Sequence, residues 1–241
     1  MPKSTEFGGG DDDVVKKSNI EERKGSIDGN LAGSAGSVTS DRPFIVSVEG
    51  NIGSGKSTML SYFEKFGDVE LVPEPVGQWC DLNGHNLLAK LYEDPSRWSF
   101  QFQSYVQLTR LQLLKSPTTF KVKIVERSIQ NNRFCFLELA RKSGTMSEAE
   151  HVVLSQWYEF LERNMTLDLD LIVYLRSSPA IAYERMKKRN RSEESGAPLL
   201  YLERLHNAYE EWLVKQRHGK IEVTSYLTSC EVDTCSYMTI K

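Results

Sequence analysis

The chain has 241 residues, with 30 Lys and Arg against 33 Asp and Glu, a formal charge of −3. Apolar residues make up 39% and charged residues 26%, ordinary usage for one large domain with or without tails. The balanced charge argues against a general partner for nucleic acid polymers or anionic membranes, and no window approaches the roughly 18 consecutive apolar residues that span a bilayer.

Residues 1–42 hold GGG, DDD and GNLAGSAGSVTS, with Phe7 as their one aromatic, and read as a disordered tail. Glu6, Asp11 to Asp13, Glu21, Glu22 and Asp28 do not suit a mitochondrial transit peptide, and no apolar run suits secretion. The expected location is the cytoplasm, with the nucleus open. Cys80, Cys135, Cys230 and Cys235 form no CxxC pair and read as free thiols of a reducing compartment.

Order is expected from Arg42-Pro43, with FIVSVEG (44–50) as a buried strand. A helix over 56–66 leads to strand 69–73, helical stretches near 84–92 and 97–115 follow, and KVKIVE (121–126) is the next strand. Helices are predicted at 128–143 and 147–164, a strand at 170–175, and helices at 179–189, opened by Pro179, and 198–217. IEVTSYL supplies a fifth strand, or leaves four. Strands alternating with helices imply an α/β fold, a parallel sheet flanked by helices with ligands at the strands' carboxyl ends.

Gly50-Asn51-Ile52-Gly53-Ser54-Gly55-Lys56-Ser57 satisfies G-x-x-x-x-G-K-[ST] between a predicted strand and a predicted helix, the context a phosphate loop requires. Its glycines let backbone N–H groups turn toward phosphate oxygens, and the helix directs its positive end at them. Lys56 adds a cation, and the Ser57 hydroxyl suits Mg²⁺. The bland reading is a glycine-rich turn at a strand end.

Two charged clusters fall at other strand ends, and a third falls at a helix end. Glu74, fixed between Pro73 and Pro75, can accept a proton from a substrate hydroxyl that attacks a γ-phosphate. In Glu126-Arg127-Ser128, Glu126 can hold Mg²⁺ or its waters, and Arg127 can orient Glu74. The basic run around Arg185, Arg189 and Arg191, leading into a polar loop with Gly196, suits a lid over a triphosphate. Each cluster alone would more often be a solvated acid, a structural ion pair or a charged surface. Gln103, Val106 and Arg110 share one helical face, and Gln103 offers the donor and acceptor needed to read a base edge. Trp79, Tyr92, Phe102 and Phe134 offer pocket walls, although each alone is more often core.

Together, EGNIGSGKST, LVPEPVGQW, the spacing from Tyr92 to FQSYVQLT, ERSI and RMKKRNRSEES resemble the deoxyribonucleoside kinase family in order from Pro43 to Arg217. EHVVLSQWYEFLERNM and DLIVYLRSSP are most similar to its mitochondrial thymidine kinase and insect branch. The resemblance implies a P-loop kinase domain over 43–220 and a divergent segment over 221–241. It implies transfer of the γ-phosphate of ATP to the 5′-hydroxyl of deoxynucleosides with Mg²⁺, and a homodimer. Glu74 would be the base, assisted by Arg127, with Glu126 serving Mg²⁺ or taking the base role itself. The loop through Thr58 would bind ATP together with the lid cations Arg185, Arg189 and Arg191. Tyr92 and Glu194 would hold the sugar 3′-hydroxyl, Gln103 the base, and Trp79, Phe102 and Phe134 would wall the pocket.

Arg110 and Asn132 stand where the thymidine-using branch has methionine and alanine, so a broad or shifted base specificity is expected, with thymidine not the best substrate. The competing readings are a nucleoside monophosphate kinase and a non-catalytic nucleotide-binding module.

Overall fold

A computed structural model of the chain describes residues 42–216 and 223–227. The tail reading for residues before Arg42, and the C-terminal reading outside 223–227, lie outside the described residues.

Strands β1 (Phe44–Gly50), β2 (Val69–Val72), β3 (Val122–Glu126), β4 (Leu171–Arg176) and β5 (Val223–Leu227) form one sheet in the order β2-β3-β1-β4-β5, every pair parallel. The five-strand form of the expected α/β sheet is therefore the one observed. β1 sits at the centre, and Val46 and Val48 are buried on one face while Ser47 and Glu49 are buried on the other. The valines of this strand, covered on both faces, pack in the core, while the buried Glu49 carboxylate accepts from the Ser47 and Ser128 hydroxyls, both at 2.7 Å.

Helix α1 (Lys56–Phe63) covers one face, where Leu60 packs with Val46, Val48, Ile124, Val173 and Leu175. On the other face α9 (Leu199–Tyr209) buries Leu202, Leu205 and Tyr209 against Ile172 and Tyr174. Two short helices, α2 (Val76–Cys80) and α3 (Leu87–Glu93), and the long α4 (Pro95–Lys115) follow β2. α4 starts two residues before the predicted 97 because the Asp94 side chain accepts from the Arg97 N–H and Pro95 takes the first turn. α3 starts later than predicted because Asn86 caps it, accepting from the Ala89 N–H at 2.8 Å. α2 was not expected; five residues after Pro73-Glu74-Pro75 are too few to show a helical period.

The predicted helix 128–143 is three segments in series: α5 (Ile129–Asn131), a π-helical turn (Asn132–Leu137) and α6 (Glu138–Lys142). A capping box between Ser147 and Glu150 opens α7 (Glu148–Asn164). α8 (Pro179–Arg189) runs over the predicted span, capped by Ser178 and ended by Asn190 in the left-handed region, φ 53°. The predicted helix 198–217 is α9 followed by a second π turn (Glu210–Val214). No helix of the described residues is long and apolar enough to cross a membrane.

α6 is fastened to its neighbours through Glu138, which accepts from Arg133 at 2.9 Å and Arg141 at 3.1 Å and pairs with His151 of α7 at 2.9 Å. Burial works to raise its pKa, but the hydrogen bonds from Arg133 and Arg141, with His151, outweigh that and hold it at about 2 instead of 4.5. A carboxyl depressed on folding contributes stability above its unfolded pKa and loses it as pH falls toward the folded value. Urea midpoints should therefore fall as pH drops from about 5 to about 2. Glu138→Gln should lower the midpoint at pH 7 and flatten that acid limb; an unchanged slope would show that Glu138 does not contribute to it.

Candidate active site

The strand order sets the order of the site along the carboxyl edge of the sheet. Glu74 follows β2, Glu126 and Arg127 end β3, the phosphate loop follows β1, and α8 follows β4. β1 lies where the chain's progress across the sheet reverses, the position at which open α/β sheets bind ligands. One cavity of about 1180 Å³ opens there.

At one end of the cavity is the phosphate loop. Gly50 and Gly53 have φ of 148° and 78°. A Cβ on Gly50 would lie 2.7 Å from the Leu175 carbonyl oxygen, and one on Gly53 would lie 2.2 Å from that of Ala182, so the loop is wedged against β4 and α8. Ile52, Gly53, Gly55, Lys56, Ser57 and Thr58 line the cavity, whereas Gly50, Asn51 and Ser54 support the loop from behind. Asn51 Nδ2 donates to the Leu202 carbonyl at 2.9 Å, tying the loop to α9. Lys56 Nζ donates to the Asn51 carbonyl at 2.8 Å. Burial, with Arg127 nearby, lowers the Lys56 pKa to about 7 against the pull of Glu126, Glu74 and Glu49. A polyphosphate there would supply the anion that this cation lacks. Ser57 Oγ donates to both Glu126 oxygens, at 3.0 and 3.1 Å.

Next along the edge, Glu74 accepts from Arg110 Nη2 at Oε1 and from Arg127 Nη1 at Oε2, both at 2.7 Å. Burial alone would raise this carboxyl, but the charges of Arg127 and Arg110 hold it at about 2. Arg127 has φ 60° and donates its backbone N–H to Val48 at 3.0 Å and its Nη2 to the Gly50 carbonyl at 3.1 Å. That left-handed backbone, costly for a long side chain, turns the arginine from the end of β3 back over the phosphate loop.

The far end of the cavity is walled by Trp79, Tyr92, Phe102, Val106 and Phe136, with Gln103 among them. Trp79 Nε1 donates to Thr109 Oγ1 at 3.1 Å, and its ring meets Phe102 edge-on at 5.7 Å. Two residues expected to bind the substrate do not line this wall. Phe134 packs against Tyr158 and Trp212, at 5.6 and 5.9 Å between ring centroids, and does not reach the cavity. Phe136, in the π turn at Asn132–Leu137, lines the wall instead, 5.3 Å from the Arg127 guanidinium and 5.9 Å from that of Arg110. Asn132 is fully buried behind the wall and donates to Gln103 Oε1 at 2.7 Å, so it reaches a ligand only through Gln103.

Arg185, Arg189, Arg191 and Glu194 line the cavity from the lid side, as does Lys188. Glu194 is buried and paired with Arg189 and, at 2.7 Å, with Arg191. The next acid, Glu193, accepts from Asn86 Nδ2 at 3.1 Å and from the Cys80 thiol at 3.4 Å, tying the segment after α8 to α2 and α3. Tyr201, in the first turn of α9, also lines the cavity and was missed, since nothing local to it signals a site.

A family model for deoxynucleoside kinases matches residues 46–239. Among curated relatives, "Thymidine kinase 2, mitochondrial" of Homo sapiens is 47% identical over 175 residues, 73% of this chain and 66% of that protein. "Deoxycytidine kinase" of Homo sapiens is 36% identical over 194 residues, 70% of this chain and 75% of that protein. "Deoxycytidine kinase 2" of Gallus gallus is 36% identical over 196 residues, 71% and 74% of the two chains. The chain thus spans slightly less than two thirds of the human thymidine kinase 2 that it matches.

The packing of Gly53 gives a direct test of the loop. Gly53→Ala adds a methyl group where φ is 78° and the Ala182 carbonyl is in the way, so affinity for ATP measured by calorimetry should fall by at least about tenfold. Gly77→Ala, where an added Cβ meets nothing within 4 Å, should leave affinity unchanged.

Proposed function

The chain belongs to the deoxynucleoside kinase family, and on that premise we propose that it transfers the γ-phosphate of ATP to the 5′-hydroxyl of deoxyribonucleosides. The observation that carries the reading is a single cavity with a phosphate loop at one end, an aromatic-walled pocket with one amide at the other, and a doubly paired carboxylate at a strand end beside the loop.

The deoxynucleoside base stacks within Trp79, Phe102 and Phe136, and Gln103 addresses its edge while Asn132 fixes the amide's orientation. Tyr92 and Glu194, both lining the cavity, hold the sugar 3′-hydroxyl in this reading, which brings the 5′-oxygen toward Glu74. A new P–O bond then forms from that oxygen to the γ-phosphorus, the bond to the β-phosphate oxygen breaks, and the hydroxyl proton passes to a carboxylate and on to solvent. A carboxylate held at about 2 is a weak base, so Glu74 acts chiefly by orienting the hydroxyl and by taking its proton late, which suits a loose phosphoryl transfer. Lys56 and the lid cations Arg185, Arg189 and Arg191 offset the phosphate charge.

Ser57 Oγ and the Glu126 carboxylate, adjacent hard oxygen donors beside the phosphate loop, fit the few protein ligands that Mg²⁺ takes beside nucleotide phosphates. When bound there, Mg²⁺ supplies charge neutralisation on those phosphates.

Arg110 and Asn132 support a broad or shifted base choice in which thymidine is not preferred. They act by different routes, since Arg110 lines the cavity while holding Glu74, and Asn132 works through Gln103. The acidic residues within 1–42 support a cytoplasmic location.

A homodimer is supported by α7, where Val153, Trp157 and Phe160 form one exposed apolar stripe, with exposed Leu108 on the adjacent α4. Light scattering should give a dimer mass for the full chain and a monomer for the double variant Trp157→Glu, Phe160→Glu; a monomeric wild type would overturn this.

The activity is tested by MgATP-dependent conversion of deoxycytidine, thymidine, deoxyadenosine and deoxyguanosine to monophosphates, with deoxynucleoside monophosphates as competing acceptors. The expected result is turnover of nucleosides with thymidine not the best, and a loss of about 100-fold or more in Glu74→Gln. Nucleotide binding without transfer to any of the four would overturn the reading, and a clear preference for thymidine would overturn the proposed specificity.

A further inference from the structure

Two buried residues that do not line the cavity complete a closed circuit around Glu74. Arg110 Nη1 donates to Asn131 Oδ1 at 3.0 Å, and Asn131 Nδ2 donates to the Tyr209 hydroxyl at 2.8 Å. Arg127 Nε donates to that same hydroxyl at 3.1 Å, while Arg127 Nη1 and Arg110 Nη2 grip the two oxygens of Glu74. Glu74, Arg110, Asn131, Tyr209 and Arg127 therefore form a ring of side-chain hydrogen bonds drawn from a loop, α4, α5, α9 and the end of β3.

Asn131 and Tyr209 are fully buried. Neither lines the cavity. What they fix is the attitude of two guanidiniums. Arg127 has an acceptor at each of its three nitrogens: Glu74 at Nη1, the Gly50 carbonyl at Nη2 and Tyr209 at Nε. With the Nε acceptor gone, its Nε–Nη edge can turn onto Glu74 and pair side-on, drawing the carboxylate from Arg110. Arg110 is held in the same way at its Nη1 edge by Asn131 and the Ser128 carbonyl. The Tyr209 ring itself stacks on Tyr174, with centroids 5.5 Å apart and planes at 16°, so the hydroxyl is fixed by packing and not by the bonds it accepts.

We propose that Asn131 and Tyr209 are positioning residues for phosphoryl transfer, closing the ring that sets the orientation of Glu74 toward the acceptor hydroxyl. This rests on the kinase reading above. A buried phenol and amide that merely satisfy one another would have no effect on the chemical step beyond stability, and the two cases separate experimentally.

Tyr209→Phe keeps the ring and its stack and removes one oxygen. In the full chain, with the best of the four deoxynucleosides and MgATP, kcat should fall about 10- to 100-fold while both KM values stay within about twofold. In a Glu74→Gln background the same change should alter the residual rate by less than about twofold, because the ring is already open. Asn131→Ala enters the ring from the other side and should reproduce the kcat loss against steady KM, which keeps the test in force if Tyr209→Phe folds poorly. An equal fractional loss in both backgrounds, or kcat and KM lost together with the thermal midpoint in both variants, would mean a structural role and overturn the proposal. A wild type that transfers no phosphoryl group overturns the kinase reading and this inference with it. An active wild type with unchanged kcat in Tyr209→Phe overturns this inference alone.

Discussion

The site is organised by the cost of keeping the Glu74 carboxylate out of water. One guanidinium is a common partner for a buried carboxylate; here two are engaged, one on each oxygen, at 2.7 Å. Removing Glu74 would leave two buried guanidiniums facing each other without their shared carboxylate. The chain therefore cannot move the loop after β2, the middle of α4 or the end of β3 independently of one another. The prolines at 73 and 75 hold the carboxylate's backbone, and the left-handed φ of 60° at Arg127 aims one of its cations. The same pairing that holds the Glu74 carboxyl at about 2 also fixes its orientation, and in the proposed phosphoryl transfer placement counts for more than basicity.

α9 is the second organising element. It packs Leu202 and Leu205 into the core, and it reaches the site twice from behind, through the Leu202 carbonyl to Asn51 of the phosphate loop and through the Tyr209 hydroxyl to Arg127. Because α9 follows the lid segment directly, with Glu194 and Tyr201 both on the cavity wall, lid, phosphate loop and paired carboxylate share one support. Both π turns lie beside this support: one begins immediately after Asn131 and the other immediately after Tyr209. An extra residue per turn is unfavourable in a helix and is found most often where it re-aims a side chain at a functional position.

What could be read from the chain follows from how local each signal is. The phosphate loop, the acid between two prolines and the Glu126-Arg127 pair are contiguous motifs at strand ends, and a parallel sheet brings strand ends together whatever its strand order. Phe134 is an aromatic candidate for the wall by residue type and by resemblance, but its ring packs between Tyr158 and Trp212 and Phe136 lines the wall, a choice that no local pattern marks. Asn132, expected to influence base choice directly, is fully buried and bonds to Gln103 instead. Tyr201 and Tyr209 come to the site because α9 crosses behind β1 and β4, and Asn131 meets Tyr209 across a sequence separation of 78. Such contacts are products of the tertiary fold and leave no periodicity to detect.

The strand order also fixes the timetable by which this sheet can be made. β1, the first strand of the sheet to be synthesised, is its centre, and its neighbours are β3, beginning at Val122, and β4, beginning at Leu171. At ribosomal rates of about 5–20 residues per second, its hydrogen-bonding edges and its buried Glu49 wait for several seconds before either neighbour exists. β5 pairs only with β4, so the outer edge on that side closes last of all. Nascent chains that end before Val223 thus carry a complete phosphate-loop sequence on an unfinished sheet, with strand edges that need shelter until the last strand is made.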